Sequence, residues 1–273
     1  MVELRMSVDV DGEIKSAKEI EESIVTKFRK SIWSKFLKGI YDFNLVENGD
    51  KIALAISGGK DSLLMAKLFQ ELKKNKSFDF EFRAISLNPG FREEDLSQFK
   101  KNLRDMGINC EIIETNIWEI SNMMAPTSPC FLCAKMRRGV LYKELEKMGY
   151  TKIALGHHFD DVIETTLINM FYAGTIKTML PIVNSESGNL KIIRPMVYVY
   201  EEDIIKFTKY NNIRAMSCGC AVEQEKVTSK RKEIKNMLKD LELKNPGIKK
   251  RIFSSMKNIN LDYVYGYVKK GDK

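Results

Sequence analysis

KIALAISGGKDSLLMAKLF, residues 51–69, decides the fold. Lys51 to Ile56 form a short apolar run that reads as a buried strand, and Leu63 to Phe69 read as an amphipathic helix. Ser57, Gly58, Gly59, Lys60, Asp61 and Ser62 make the turn between them. Two glycines let the backbone approach a phosphate closely. The free N–H groups of a helix start add donors and the positive end of a dipole. No Gly-Lys-Ser/Thr ending closes the turn, so it is not a Walker A loop. The plainer alternative is a Gly-Gly turn with a Ser/Asp cap.

Strand and helix candidates alternate on both sides of this stretch. Residues 80–87, 109–114, 151–155 and 191–193 read as strands, with a short last strand at 213–215. Residues 62–74, 92–106, 133–148, 160–171 and 201–210 read as helices. Such alternation predicts an α/β protein, a parallel sheet covered by helices on both faces. Residues 1–16 look irregular. Ile20, Ile24, Phe28, Ile32, Phe36 and Ile40 recur every four residues and predict one amphipathic helix over 17–44. Past residue 222 the chain reads as helices, with a restart at Asn245-Pro246. The expected organisation is a helical extension over 1–48, a central domain over 49–221 and a basic helical segment over 222–273.

A second constellation is Gly156-His157-His158-Phe159-Asp160-Asp161-Val162-Ile163-Glu164, directly after a strand. It contains both histidines of the chain. In a parallel sheet its turn would open on the same edge as SGGKDS, beyond the carboxyl ends of the strands. Carboxylates beside a phosphate loop are suited to Mg²⁺, which neutralises a departing pyrophosphate. Acidic residues in a first helical turn also have a purely structural use, because they favour the helix dipole.

The formal charge is +8, and residues 222–273 hold 14 Lys and Arg against 7 Asp and Glu. A basic region of this kind suits a polyanion such as nucleic acid. No apolar run reaches the roughly 20 residues that span a bilayer. MVELRMSVDVDGEIK has no signal-type apolar core, so a cytoplasmic protein with no membrane partner is expected. In that compartment disulfides are rare, and the five cysteines are ligands or reactive thiols more readily than staples. Cys110, in an apolar strand, reads as a small core residue. Cys130 and Cys133 form a C-x-x-C entering a helix, and Cys218 and Cys220 lie far downstream. Four sulfurs could close a zinc site, and three would leave an open position on an iron–sulfur cluster. Composition does not choose between them.

SGGKDS, GHHFDDVIETTL and IIRPM together resemble the PP-loop (N-type) ATP pyrophosphatases. PCFLCAKMRRGVLY and NPGIKKRIFSSMKNI narrow the resemblance to the two-cysteine tRNA thiolation branch, and most closely to the tRNA 2-thiocytidine synthetase group. The resemblance runs from about Asp50 to Asn260. It implies a Rossmann-like PP-loop fold in which ATP adenylates a tRNA base carbonyl and sulfur then replaces the oxygen. Ser57, Gly58, Gly59, Asp61, Ser62, Gly156 and His157 would bind ATP. Lys60, Asp161 and Arg137 would act in catalysis, and Asp61 with Asp161 would hold Mg²⁺. The resemblance also implies a [4Fe-4S] cluster on Cys130, Cys133 and Cys218, the last matched by Gln224 six residues on. Zinc is the alternative metal. The family often has C-x-x-C where this chain has C-x-C, which leaves Cys220 without an assigned role. tRNA is the implied partner, and a homodimer is expected. The resemblance names neither the modified base nor the sulfur donor. Rival readings are 2-thiouridine synthesis, an iron–sulfur desulfurase of thiolated bases and a lysidine-synthetase-like ligase.

Overall fold

The computed structural model describes residues 4–6, 12–125, 129–218 and 221–267 of the 273-residue chain. In chain order the elements are β1 (Leu4–Met6), α1 (Ala17–Val25), a π-helical turn (Arg29–Trp33), α2 (Ser34–Asp42), β2 (Lys51–Ala55) and α3 (Lys60–Lys74). Next come β3 (Glu81–Asn88), α4 (Glu93–Asp105), β4 (Cys110–Glu114), α5 (Ile117–Met124), α6 (Pro129–Lys147), β5 (Lys152–Ala154) and α7 (Phe159–Ala173). The last are β6 (Ile182–Asn184), β7 (Lys191–Ile193), α8 (Glu201–Tyr210), β8 (Met216–Cys218), α9 (Ala221–Lys244) and α10 (Ile248–Ser255).

Six strands form one sheet in the order β4-β3-β2-β5-β7-β6, parallel except for the antiparallel edge strand β6. From β2 the chain runs outward through β3 to β4. It then returns to place β5 on the other side of β2. The crevice between β2 and β5 is therefore a topological switch point, where parallel sheets bind ligands. Side chains alternate across the strands and feed two cores. Ile52, Leu54, Ala84, Ala154 and Ile193 pack with α1–α4 and α8. Ala53, Ile85, Ile153 and Ile192 pack on the other face with Leu145, Leu141 and Tyr142 of α6.

The chain divides into two compact units. One comprises residues 1–159 and 180–229, the other residues 160–179 and 230–273. In the second unit, Lys249 Nζ lies 2.7 Å from Asp160 Oδ1. Arg231 reaches Glu164 at 3.4 Å and Asp161 at 3.8 Å. Among the described residues no helix is long and apolar enough to cross a membrane.

Five expectations are corrected. The helix expected over 17–44 is interrupted, because a repeat of four overshoots a 3.6-residue turn by about 40° per step. Five steps would swing the stripe about 200° around a straight helix. Wider i→i−5 bonds, Phe28 N–H to Ser23 O (2.9 Å) and Trp33 N–H to Phe28 O (3.2 Å), take up the excess. All six apolar residues of the stripe are buried as a result. The last strand lies at 216–218 instead of 213–215. It pairs antiparallel with β1, inside the supposedly irregular N-terminus. α5 and the three-residue β6 occupy stretches for which no helix or strand was expected. Finally, α10 starts at Ile248, with Gly247 in the left-handed region (φ 88°), and not at Asn245-Pro246. The Glu242 carboxylate accepts from the N–H groups of Gly247 (2.8 Å) and Lys249 (3.0 Å), so it does the capping expected of Asn245. Burial would raise the Glu242 carboxyl, but those two donors and the nearby lysines hold it below the usual range.

Candidate functional site

The loop after β2 is folded on its own hydroxyls. Ser62 Oγ donates to Gly59 O at 2.9 Å and accepts from Ser57 N–H at 3.2 Å. Gly59 N–H donates to Ser57 Oγ at 3.3 Å. Gly58 adopts φ +84°, and a Cβ there would stand 2.9 Å from the Phe99 ring. Glycine is therefore demanded by backbone and packing together. Met216 N–H donates to Gly58 O at 2.9 Å, which ties β8 to the loop. The N–H groups that open α3 carry the anion-binding end of the helix.

Lys60 extends from this turn between two carboxylates, 3.1 Å from Asp61 Oδ2 and 3.4 Å from Glu201 Oε1. Burial alone would lower its ammonium pKa, but Asp61 and Glu201 outweigh that and hold it above the ordinary lysine value. Lys60 thus stays cationic at any physiological pH. Sequence reasoning missed Glu201. It is the first of three acidic residues in the first turn of α8 and looks like ordinary dipole compensation.

The turn after β5 sits against the same loop, because β5 is the strand next to β2. A Cβ on Gly156 would lie 3.1 Å from both Asp61 C and Ser62 N. Only glycine allows the two turns to meet this closely. His158 is buried, with Nε2 3.9 Å from Asp61 Oδ1. His157 is half-buried beside it. Ser57 to Ser62, Gly156 and His158 are thus gathered at the switch point. Asp160, Asp161 and Glu164 belong to the second unit, where they pair with Lys249 and Arg231 as described above.

A pocket of about 270 Å³ opens at the carboxyl ends of β2 and β3, lined by Ser57, Ile85, Leu87, Ala134, Arg137 and Leu141. Arg138 also borders it. Apolar walls with guanidinium groups at the rim suit a flat heterocycle carrying phosphate. A larger cavity of about 490 Å³ lies at the opposite ends of the same strands, beside Lys51, Glu81 and Tyr150. It is on the wrong edge for a switch-point ligand.

α6 carries the cysteine pair as well as Arg137. Cys133 is buried with Leu87 and Ile117. Cys130 stands three residues earlier on α6 and Cys218 ends β8. The side chains of Cys130 and Cys218, and the whole of Cys220, lie outside the described residues. Among the described residues no three His, Cys, Asp or Glu side chains converge on a metal position. The expected ligands Cys130, Cys133 and Cys218 are thiols, a donor chemistry that suits an iron–sulfur cluster or zinc. Cys110 is different. Burial pushes its thiol up to about 12, which leaves it unreactive near neutral pH.

A profile of the family described as PP-loop domain matches residues 26–217. A tRNA-cytidine(32) 2-sulfurtransferase of Geotalea uraniireducens is 36% identical over 90% of this chain and 96% of its own length. One from Vibrio cholerae is 37% identical over 85% of this chain and 75% of its own. Among solved structures, the U34-tRNA thiolase NcsA from Methanococcus maripaludis with its [4Fe-4S] cluster superposes with a TM-score of 0.67. It covers 97% of this chain and 90% of that one at 21% identity, a likeness of fold. The chain belongs to the PP-loop family of ATP pyrophosphatases, among the enzymes of the tRNA 2-thiocytidine synthetase-like thiolation branch.

Proposed function

We propose that this enzyme uses ATP to convert a tRNA cytidine to 2-thiocytidine, at the position 32 named for its relatives. One observation carries the reading. α6 begins with Cys130 and Cys133, and one turn later Arg137 borders the pocket that Ser57 of the phosphate loop also lines. The cysteine pair and an arginine that lines the pocket thus sit on one helix.

The amides of Ser57 to Ser62 would hold the phosphates of ATP, and Lys60 would offset charge developing on the departing pyrophosphate. Arg137 would bind phosphate at the rim of the pocket, and His157 with Gly156 would complete the nucleotide site. The C2 carbonyl oxygen of the base attacks the α-phosphorus, and the bond to pyrophosphate breaks. A sulfur nucleophile then adds at C2, the C–O bond breaks, and AMP leaves with the oxygen. Asp61 or Asp161 would help place Mg²⁺, which would neutralise pyrophosphate when bound. Cys130, Cys133 and Cys218 would hold a [4Fe-4S] cluster, whose fourth iron supplies an open position for sulfur when bound. The excess positive charge of residues 222–273 would bind tRNA phosphates with steep salt dependence.

The test is mass spectrometry of tRNA nucleosides from cells lacking the gene. Disappearance of 2-thiocytidine alone is the expected result. Intact 2-thiocytidine would refute the reading, and loss of a thiouridine would transfer the chemistry to another base.

A further inference from the structure

Ile259 to Tyr267 follow α10 and expose an unusual amount of aromatic surface. Tyr263 is 86% exposed, Tyr265 115% and Tyr267 58%. Single exposed tyrosines are ordinary. Three at alternate positions within five residues are not, and apolar Ile259 and Leu261 beside them are also exposed. The same unit presents Lys250, Arg251 and Lys257 to solvent, and Asp262 is the one acidic residue in the 259–267 stretch. Residues 222–273 as a whole carry twice as many cations as anions. The 259–267 stretch itself holds no Lys or Arg, so the rings follow the cations of α10 and Lys257. Exposed rings beside such a cationic segment have one well-matched polymer: a nucleic acid with unstacked bases. Rings stack on bases while lysines and arginines track the phosphates. Sequence-specific contact to RNA falls mostly on unpaired loops, where bases are free to stack on aromatic side chains.

We propose that Tyr263, Tyr265 and Tyr267 form a stacking platform for unpaired RNA bases, and so select a loop rather than a helical stem. This rests on tRNA as the substrate and adds which kind of RNA structure the C-terminal unit grips. A second copy of this chain is the rival occupant. It is disfavoured because two such basic surfaces would repel one another.

The experiment measures binding of the full-length protein to two labelled RNAs by fluorescence anisotropy. One is a hairpin with a seven-nucleotide loop, and the other is a fully paired duplex of equal charge. Single Tyr→Leu variants at positions 263 and 265 should weaken hairpin binding about 5- to 150-fold each. Duplex binding should stay within about 2-fold of wild type, since phosphate contacts carry it. Tyr→Phe variants keep the ring and should bind the hairpin nearly as wild type does. Unchanged melting temperatures would show that the exposed residues do not support the fold. Equal hairpin affinity in wild type and the Leu variants would overturn the platform while leaving the tRNA reading intact. Leu variants that turn a dimer into a monomer without changing hairpin affinity would also overturn it, and would assign the tyrosines to an interface between copies. Wild-type protein that binds neither RNA would overturn both readings.

Discussion

Lys67 is the most exposed to test of the buried groups. Its side chain is fully buried beneath α1. Its ammonium is 2.5 Å from Glu21 Oε1 and donates to Met106 O at 2.9 Å. Burial draws its pKa below the lysine norm, against the pull of Glu21. Glu21→Ala strands this charge. Breaking a buried pair from one side costs about 3–5 kcal/mol. Glu21 also meets half-exposed Lys74 at 2.5 Å, and loss of that contact adds at most about 1 kcal/mol. At roughly 2–4 °C per kcal/mol for a domain of this class, the melting temperature should fall by about 6–24 °C. Lys67→Met removes the charge and keeps the shape, so it should cost under about 1.5 kcal/mol. The pH dependence has a definite sign. A lysine whose folded pKa lies below its unfolded value destabilises the fold fully at pH below the folded pKa. The penalty is relieved as pH rises toward the unfolded pKa of about 10.4. The Glu21→Ala deficit, measured by calorimetry against wild type, should therefore shrink between pH 7 and pH 9.5. A Glu21→Ala protein within about 1 kcal/mol of wild type, or less stable at the higher pH relative to wild type, would refute the argument.

Lys60→Ala should lower the rate of ATP-dependent pyrophosphate release by about 10²–10³-fold. Because Asp61 and Glu201 hold Lys60 charged, the wild-type rate should show no step from loss of that charge between pH 6 and pH 9. Gly58→Ala should cost about 1–2 kcal/mol for its positive φ, plus about 1–3 kcal/mol for the contact with Phe99. A thermal shift under about 1 °C would contradict that geometry. In the folded protein Cys110 should resist iodoacetamide at pH 8, as peptide mass mapping would show, and rapid labelling would mean its burial is overstated. Cys218→Ala should abolish iron retention in anaerobically purified protein while Cys110→Ala should not; equal retention would remove Cys218 from the ligand set.

The strand, loop and helix around Ser57 to Ser62 were legible because each used a local signal: an apolar run, a Gly-Gly turn and helical spacing. The second turn was legible for the same reason, since Gly156 also sits at a strand end. What escaped was set by distant partners. Glu201 carries no local mark that separates a partner of Lys60 from a dipole charge. β1 and β8 are three residues each and exist only through one another. The apolar stripe over 20–40 was legible as one amphipathic helix, but its period of four concealed the π-helical turn that buries it. Lys67 lies in the apolar-rich run that predicted α3, yet nothing local distinguishes it from a solvent-facing lysine.

The bond from Met216 N–H to Gly58 O has a mechanical consequence. It spans only 2.9 Å and joins the phosphate loop to the strand that ends at Cys218. Any displacement of Gly58 must either break the bond or drag that strand along. Solvent exchange of the Met216 amide proton is therefore a built-in gauge of loop position, and reports from the cysteine side on what the loop is doing.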